Sequence, residues 1–355
     1  MSTGAISNDF ALALKSTPGA VLHAVASRTQ ASADAFAQKH GFAKAYASYQ
    51  ELVADAEVQI MYVATPNNFH CEHILMCLEA GKHVLCEKPM SGNARQAEMC
   101  IEKAKEKKLF LMEGMWTRFF PVTRAVRKLV NEGAIGKVVS VSASLGFKAE
   151  TDFNQRLFQP ELGGGALLDL GIYTALWISM ILGPPQKVSA HARMLDTGVD
   201  SQTFATFEYD SGAMAHFQCG FTGALPNDVT IVGETGYIRI SRPMQAPEAY
   251  TMVTRQGDTP DPMLLRGKAV TVSEPLDPPH IGLAPGYNFV GSQGLKYEAT
   301  AVQEALEKGL TEHPELPLSE TLAMAKVLDE IRSQIGVRFP WDEDVSPGAK
   351  RQCVN

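Results

Sequence analysis

The sequence predicts an α/β protein of two domains. The first has a parallel sheet covered by helices on both faces; the second has an antiparallel or mixed sheet with helices on one face. Short apolar segments alternate with helical segments through the first third of the chain. Strands of continuous apolar character between helices imply burial on both faces. After Phe120 the strand-like segments place polar residues at alternate positions, the mark of a one-sided sheet. A chain of 355 residues is long enough for two cores. The expected division is a first domain over 1–118, a second over 119–340, and a polar tail over 341–355.

The elements follow in order. "ISNDFALALKSTPG" reads as a helix closed by Pro18 and Gly19, and "AVLHAVASR" as an apolar strand. "ASADAFAQKHG" is a helix that Gly41 stops, and "YQELVADA" a short helix. "VQIMYVAT", "HVLCEKP" and "LFLMEGMW" are strands, separated by the helices "FHCEHILMCLEAG" and "NARQAEMCIEKAKEKK". In the second domain, "PVTRAVRKLVNEGAIG" is a helix and "KVVSVSASLGFK" a one-sided strand. "GGGALLDLGIYTALWISMILG" is a long buried helix. "QKVSAHARML", "SQTFATFEYD", "GAMAHFQCGF", "NDVTIVGET" and "GYIRIS" read as hairpin-linked strands. Residues 255–292, rich in Pro and Gly, read as a long surface loop. The helices "GLKYEATAVQEALEKG" and "SETLAMAKVLDEIRSQIG" complete the fold.

A formal net charge of −7 with dispersed charges argues against a nucleic-acid partner, because phosphate binding needs a basic surface. The most apolar stretch, "ALLDLGIYTALWISMIL", carries Asp169 and fits a buried helix better than a membrane span. The six cysteines form no Cys-x-x-Cys pair and read as reduced thiols of a cytoplasmic protein. His70 and His73 are three apart on a helix without a third ligand near in sequence, so no metal site is expected.

Ser2-Thr3-Gly4-Ala5-Ile6-Ser7 occupies the frame of the dinucleotide-binding fingerprint of a Rossmann domain, with Ser2 where the first glycine is expected. Gly4 would let the backbone approach a pyrophosphate at the helix N-terminus. At the end of the second strand an acidic residue would hold the ribose 2′-hydroxyl of NAD. Arg28 stands there instead, and an arginine pairs a 2′-phosphate, which favours NADP. "VATPNNFH" and "CEKPM" follow strands at the carboxyl edge of the sheet, where such folds bind ligands. Pro66 stiffens the first turn, and Asn67 can bond a ribose or cap the next helix. A lysine at the end of a buried strand is costly to hide unless it points into a site, which singles out Lys88.

"TPNNFH", "GKHVLCEKP" and "GGGALLDLGIY", in this order, resemble the glucose–fructose oxidoreductase/inositol dehydrogenase family. "EGMWTRFFP", "LLDLGIY" and "TGVD" resemble its branch of dimeric dihydrodiol dehydrogenases and NADP-dependent D-xylose dehydrogenases. The resemblance runs from Ser2 to about Phe339. It implies an N-terminal Rossmann domain, a C-terminal α/β domain with an open, mostly antiparallel sheet, and a site between them. It also implies an NADP-dependent dehydrogenase that oxidises a sugar hemiacetal to a lactone or a trans-dihydrodiol to a catechol. A homodimer through the C-terminal sheet follows from the same branch, with Arg193 a candidate for the subunit interface. The catalytic residues implied are Lys88, Asp169 and Tyr173. The cofactor set implied comprises Gly4, Ala5, Ile6 and Arg28 in the first half of the domain, and Thr65, Pro66, Asn67 and His70 at the middle turn. Glu87, Lys88, Trp116 and Arg118 complete it. Trp116, Phe147, Asp169 and Tyr173 would meet the substrate.

The residues agree with this. Asp169 and Tyr173 are four apart and share one helix face. Gly171 between them would leave room for close approach. A lysine ammonium near Tyr173 would lower the phenol pKa, letting the phenolate take the hydroxyl proton while hydride leaves. The competing readings are an NADP-binding regulatory protein of the same family and a catalytically silent, shortened form. The second arises because only Met1 and Ser2 precede Thr3, so the first strand of the Rossmann sheet is expected to be missing. Losing roughly four buried aliphatic side chains costs on the order of 6–12 kcal/mol at ~1.5–3 each. The expectation is a protein that melts early and binds NADPH poorly unless an apolar upstream segment is restored.

Overall fold

A computed structural model describes residues 1–150, 155–255, 267–276 and 282–342. The first domain runs α1 (Ala5–Lys15), β1 (Ala24–Ala26), α2 (Gln30–His40), β2 (Lys44–Tyr46), α3 (Tyr49–Ala54), β3 (Ile60–Val63), α4 (His70–Glu79), β4 (His83–Glu87), α5 (Ala94–Lys107) and β5 (Leu111–Gly114). Thr29, Ser48 and Asn93 start helices by accepting the N–H of the third residue on. Gly41 ends α2 in the left-handed region, as expected.

The parallel sheet comes in two parts, β1–β2 and β3–β4–β5. No strand of the described residues lies between β1 and β3. Their carboxyl ends are joined instead by Met1 and Ser2. Ser2 N–H donates to Ala26 O at 3.1 Å, Ala64 N–H donates to Met1 O at 3.2 Å, and Met1 N donates to Tyr62 O at 2.6 Å. Ser2 has a φ of +91°, a region that favours glycine, at the position where the fingerprint has one. The strand read in "AVLHAVASR" shortens to Ala24–Ala26, and β2 is an element the sequence pattern did not reveal. Three residues are too few to show a period.

The second domain contains α6 (Pro121–Asn131), β6 (Val138–Gly146), α7 (Ile172–Leu182), β7 (Lys187–Met194), β8 (Asp200–Glu208), β9 (Met214–Gly220), β10 (Val229–Gly233), β11 (Gly236–Ile240), β12 (Ala249–Arg255), β13 (Gly267–Ser273), α8 (Leu295–Glu307) and α9 (Leu318–Ile335). Its sheet has the order β13-β12-β11-β10-β6-β9-β8-β7 and is antiparallel except at β6–β9. Helices α7 and α9 pack on one face. On the other, His191, Arg193, Phe204, Met214 and His216 stand exposed on neighbouring strands.

Two readings change here. β13 pairs antiparallel with β12, so the stretch read as a surface loop carries an edge strand, with 256–266 and 277–281 outside the described residues. The first two residues of the tail read over 341–355 belong to the fold. Trp341 is buried, and Asp342 accepts from Arg332 at 2.6 Å and from Asn93 at 3.1 Å. Positions 343–355 lie outside the described residues. The segment Pro160–Leu182 has the length and hydropathy to cross a membrane, yet most of it is buried in the fold. Helices α8 and α9 return to the first domain: α8 packs on α1 and on the 3-10 turn Trp116–Phe119, α9 on α5.

Candidate active site

The site forms where the carboxyl ends of β3, β4 and β5 meet the start of α7. Lys88 follows β4, half-buried. Its ammonium donates to the main-chain O of Asp169 at 2.8 Å, lies 3.6 Å from Asp169 Oδ1, and sits 4.7 Å from the centre of the Tyr173 ring. Trp116 Nε1–H donates to Tyr173 Oη at 2.9 Å. One lysine, one carboxylate, one phenol and one indole thus converge from the end of β4, the 3-10 turn Trp116–Phe119 and the continuous helix that carries both Asp169 and Tyr173. The helix itself begins differently from expectation. Leu167–Gly171 form a π turn before α7, a feature frequent at functional sites. Gly171 gives no room to the site. A side chain there would sit 3.0 Å from Cys219 Sγ, so this glycine serves packing against β9.

Arg156 joins this group and was missed from the sequence. Its Nη2 donates to Asp169 Oδ1 at 2.8 Å. Nothing in an isolated loop arginine marks it; the cue available was the Gly163–Gly165 run just before the helix, which folds the loop back onto the site. Burial tends to raise the Asp169 carboxyl pKa, but Lys88 and Arg156 outweigh it and hold the group down to about 2.

Tyr173 corrects an expectation. Burial, and then the nearby Glu87, raise its pKa well above that of a free phenol; the Trp116 hydrogen bond opposes them. The ammonium of Lys88 stands over the ring face instead of beside the oxygen, so it does not lower the phenol pKa in the way the sequence reading assumed. Three buried glutamates surround this region. Glu87 and Glu298 have raised pKa values through burial, and burial pushes Glu113 up to about 7.

The cofactor candidates divide. Gly4 and Ala5 are exposed and Ile6 half-buried at the start of α1, whose first turn has no side-chain cap and no acidic residue. Such a turn can receive a pyrophosphate on its free N–H groups. Arg28 is exposed just after β1, close enough to Tyr49 to act on it electrostatically. Pro66 is half-exposed in the turn after β3. These residues fit a nucleotide.

The others have different partners. His70 is fully buried, with Nδ1 and Nε2 each 2.7 Å from a carbonyl oxygen, of Pro89 and Thr65 respectively, so it ties two turns together. Thr65 is buried, its Oγ1 2.9 Å from His73 Nδ1. Asn67 turns its amide to the second domain, donating to Gly163 O at 3.3 Å. Glu87 accepts a short hydrogen bond from Tyr62 Oη. Arg118 is 2 % exposed and pairs with Glu320 of α9 at 2.6 Å. The side chains of His70, Asn67, Glu87 and Arg118 are therefore engaged within the protein; the sequence places them near the site but cannot show which way they turn. Phe147 is exposed and packs on Phe221, which meets Phe158 beside Arg156. Among the described residues the only metal-like cluster, His23, Asp55 and Glu57, already holds Lys44 Nζ at 3.1 and 2.6 Å from its carboxylates.

Two family models match this chain: an oxidoreductase family with an NAD-binding Rossmann fold over residues 3–115, and the GFO/IDH/MocA C-terminal domain over residues 123–239. The chain belongs to the GFO/IDH/MocA oxidoreductase family. Among GFO/IDH/MocA relatives, the mouse trans-1,2-dihydrobenzene-1,2-diol dehydrogenase is 39% identical over 352 residues, covering 97% of this chain and 98% of the relative. The human protein of the same name is 35% identical over 347 residues, with 97% and 98% covered. A 3-ketoreductase from Actinomadura kijaniata, solved with NADP and TDP-benzene, superposes with a TM-score of 0.76 at 27% identity over 92% of this chain and 93% of that one. A levoglucosan dehydrogenase solved with NADH and levoglucosan shares the fold, with a TM-score of 0.81 at 20% identity over 94% and 95% of the two chains. This GFO/IDH/MocA protein is an oxidoreductase with an NAD(P)-binding Rossmann domain and a mixed, mostly antiparallel open sheet.

Proposed function

We propose that the protein is an NADP-dependent dehydrogenase that oxidises a cyclic sugar hemiacetal of the D-xylose type, or a trans-dihydrodiol. Both substrates present vicinal hydroxyls on a six-membered ring. The observation that carries this reading is the convergence of Lys88, Asp169, Tyr173 and Trp116, a set able to hold two adjacent hydroxyls and move one proton. The likeness to dihydrodiol dehydrogenases along nearly the whole chain supports it. Arg28, exposed where the adenosine ribose would lie, supports NADP over NAD.

Bound NADP supplies the hydride acceptor. Asp169, kept ionised, accepts a hydrogen bond from one substrate hydroxyl. Lys88 donates to the reacting oxygen and stabilises negative charge on it. Tyr173 Oη exchanges the proton of that hydroxyl. Its raised pKa makes the phenol the resting form, ready to donate in reduction; in oxidation the phenolate, whose share grows as the pH rises, takes the proton.

The open face of the eight-stranded sheet, on which Arg193, Phe204 and Met214 stand exposed, supports a homodimer formed through that sheet. The buried thiols, none in a disulfide among the described residues, support a cytoplasmic setting. The test is NADPH formation followed across a panel of aldoses and trans-dihydrodiols, with NAD as the comparison cofactor. Turnover of a ring diol or aldose with NADP is expected; no turnover of any member overturns the reading.

A further inference from the structure

The loop that carries Arg156 touches both halves of the molecule. Arg156 opens the 3-10 turn Arg156–Phe158; a second such turn, Pro160–Leu162, follows and leads into Gly163–Gly165. The glycines fold the loop back on itself. Gly164 N–H donates to Gln159 O and Gly165 N–H to Leu157 O, both at 2.9 Å. A side chain on Gly164 would lie 2.7 Å from the carbonyl oxygens of Arg156 and Leu157, and Gly163 and Gly165 have φ of +73° and +109°. The backbone of Arg156 is therefore held by residues that no other type can replace without strain.

The same loop is where the Thr65–Asn67 turn lands, whose Pro66 is a cofactor candidate. Asn67 Nδ2 donates to Gly163 O, and a side chain on Gly163 would lie 2.9 Å from Asn67 Cβ. The Trp341 indole closes over both Gly163 and Gly92, four residues beyond Lys88. At the other end of the loop, Asp200 Oδ2 accepts from Leu167 N–H at 2.8 Å and from Thr203 Oγ1 at 2.7 Å, fixing the chain two residues before Asp169. Both cations of the site meet Oδ1 of Asp169, Arg156 at 2.8 Å and Lys88 at 3.6 Å. Among the described residues no hydrogen bond uses Oδ2, which is left to accept from a substrate hydroxyl.

We propose that Arg156 is a positioning residue that couples the nucleotide turn at Thr65–Asn67 to the substrate carboxylate Asp169, so that cofactor and substrate bind with linked affinities. The proposal rests on the substrate role given to Asp169 above. A contact that steadies the Asn67 turn also steadies Gly163, hence Arg156, hence the direction of the Asp169 carboxylate. The linkage is reciprocal: substrate on Asp169 tightens the nucleotide by the same factor. Arg156 also lowers the cost of an ionised Asp169 in a buried place, the second part of its positioning role.

The test uses Arg156→Gln, Arg156→Lys and Asn67→Ala in the full chain, with melting curves to check folding. Amide hydrogen exchange with and without NADPH reads the coupling without any substrate. In the unaltered protein NADPH is expected to slow exchange at the 65–67 turn and at 165–171. In Arg156→Gln protection at the turn stays and protection at 165–171 is lost; Arg156→Lys keeps both. Asn67→Ala cuts the same link from the other end and also loses protection at 165–171. In turnover assays, Arg156→Gln is expected to raise the substrate KM about 10-fold, the scale of a typical coupling, with a smaller change in kcat. Equal protection of 165–171 in Arg156→Gln and the unaltered protein overturns the proposal, as does an absence of any NADPH effect there in the unaltered protein. If no sugar or diol of the panel is turned over, the functional reading fails, while the exchange data still decide the coupling.

Discussion

Trp116 and Tyr173 meet head to tail across the two domains, the indole N–H on the phenol oxygen at 2.9 Å. Trp116 sits in the 3-10 turn after β5 and Tyr173 in the first turn of α7. Of the contacts acting on the phenol, this one opposes the rise in its pKa caused by burial and by Glu87. Trp116→Phe keeps an aromatic ring against Phe120, 5.4 Å away centre to centre, and removes the donor. A neutral hydrogen bond contributes about 1 kcal/mol, so kcat for oxidation should fall about 5-fold. The phenol pKa then rises further, and the alkaline rise of the oxidation rate should move to higher pH in a rate–pH profile. An unmoved profile would show that the indole does not act on the phenol.

Tyr173 itself has a sharper signature. The phenol's raised pKa means that the proton-accepting form grows as pH increases. Oxidation should therefore climb with pH across the neutral and alkaline range, and reduction, assigned here to the protonated phenol, should stay level. Tyr173→Phe should lower kcat by about 10²–10⁴, abolish the climb, and leave NADPH affinity almost unchanged in a fluorescence titration. Near-normal turnover in the variant would assign the proton to another group.

The proposed choice of NADP is testable at Arg28. A charged hydrogen bond to the 2′-phosphate is worth about 1.5–3 kcal/mol. Arg28→Ala should weaken NADP binding by about 10- to 100-fold and leave NAD binding where it was. Equal losses for both cofactors, measured by titration, would remove Arg28 from phosphate recognition.

Glu113 makes stability depend on pH. Its carboxyl, buried at the end of β5, is raised from 4.5 to about 7, with the Met90 N–H at 2.8 Å opposing the effect of burial. The folded protein thus holds a proton that the unfolded chain has already released between those values. Stability from this group is fully present below the lower value and is lost as pH rises through the upper one. By about pH 8 the loss reaches up to about 3 kcal/mol. Glu113→Gln keeps an acceptor for Met90 and cannot ionise. Its melting temperature should exceed that of the unaltered protein above neutral pH, and the gap should shrink on acidification. Parallel melting curves at all pH values would refute this.

The fold was legible because burial on one or both sides of a sheet leaves a period in the sequence. The parallel strands β3, β4 and β5, the alternating β7 to β9 and the final helices all carry that mark. Lys88, Asp169 and Tyr173 were legible for a related reason. A charged or polar residue in an apolar strand end or an apolar helix is costly, and its position in the segment says which face it occupies. Local sequence also placed Gly4 and Arg28 at the ends of elements, where they stay exposed. What it could not contain is direction across long separations. Asn67 turns toward Gly163, 96 residues away, and Arg118 toward Glu320. Arg156 reaches Asp169 only because three glycines and the Trp341 indole fold its loop back onto the site. The phenol of Tyr173 is raised because the tertiary fold buries it with Glu87 and sets Lys88 over its ring instead of beside its oxygen. Short-range pattern records which side of an element is buried; partner choice and pKa are set by distances between elements, and those exist only in the folded chain.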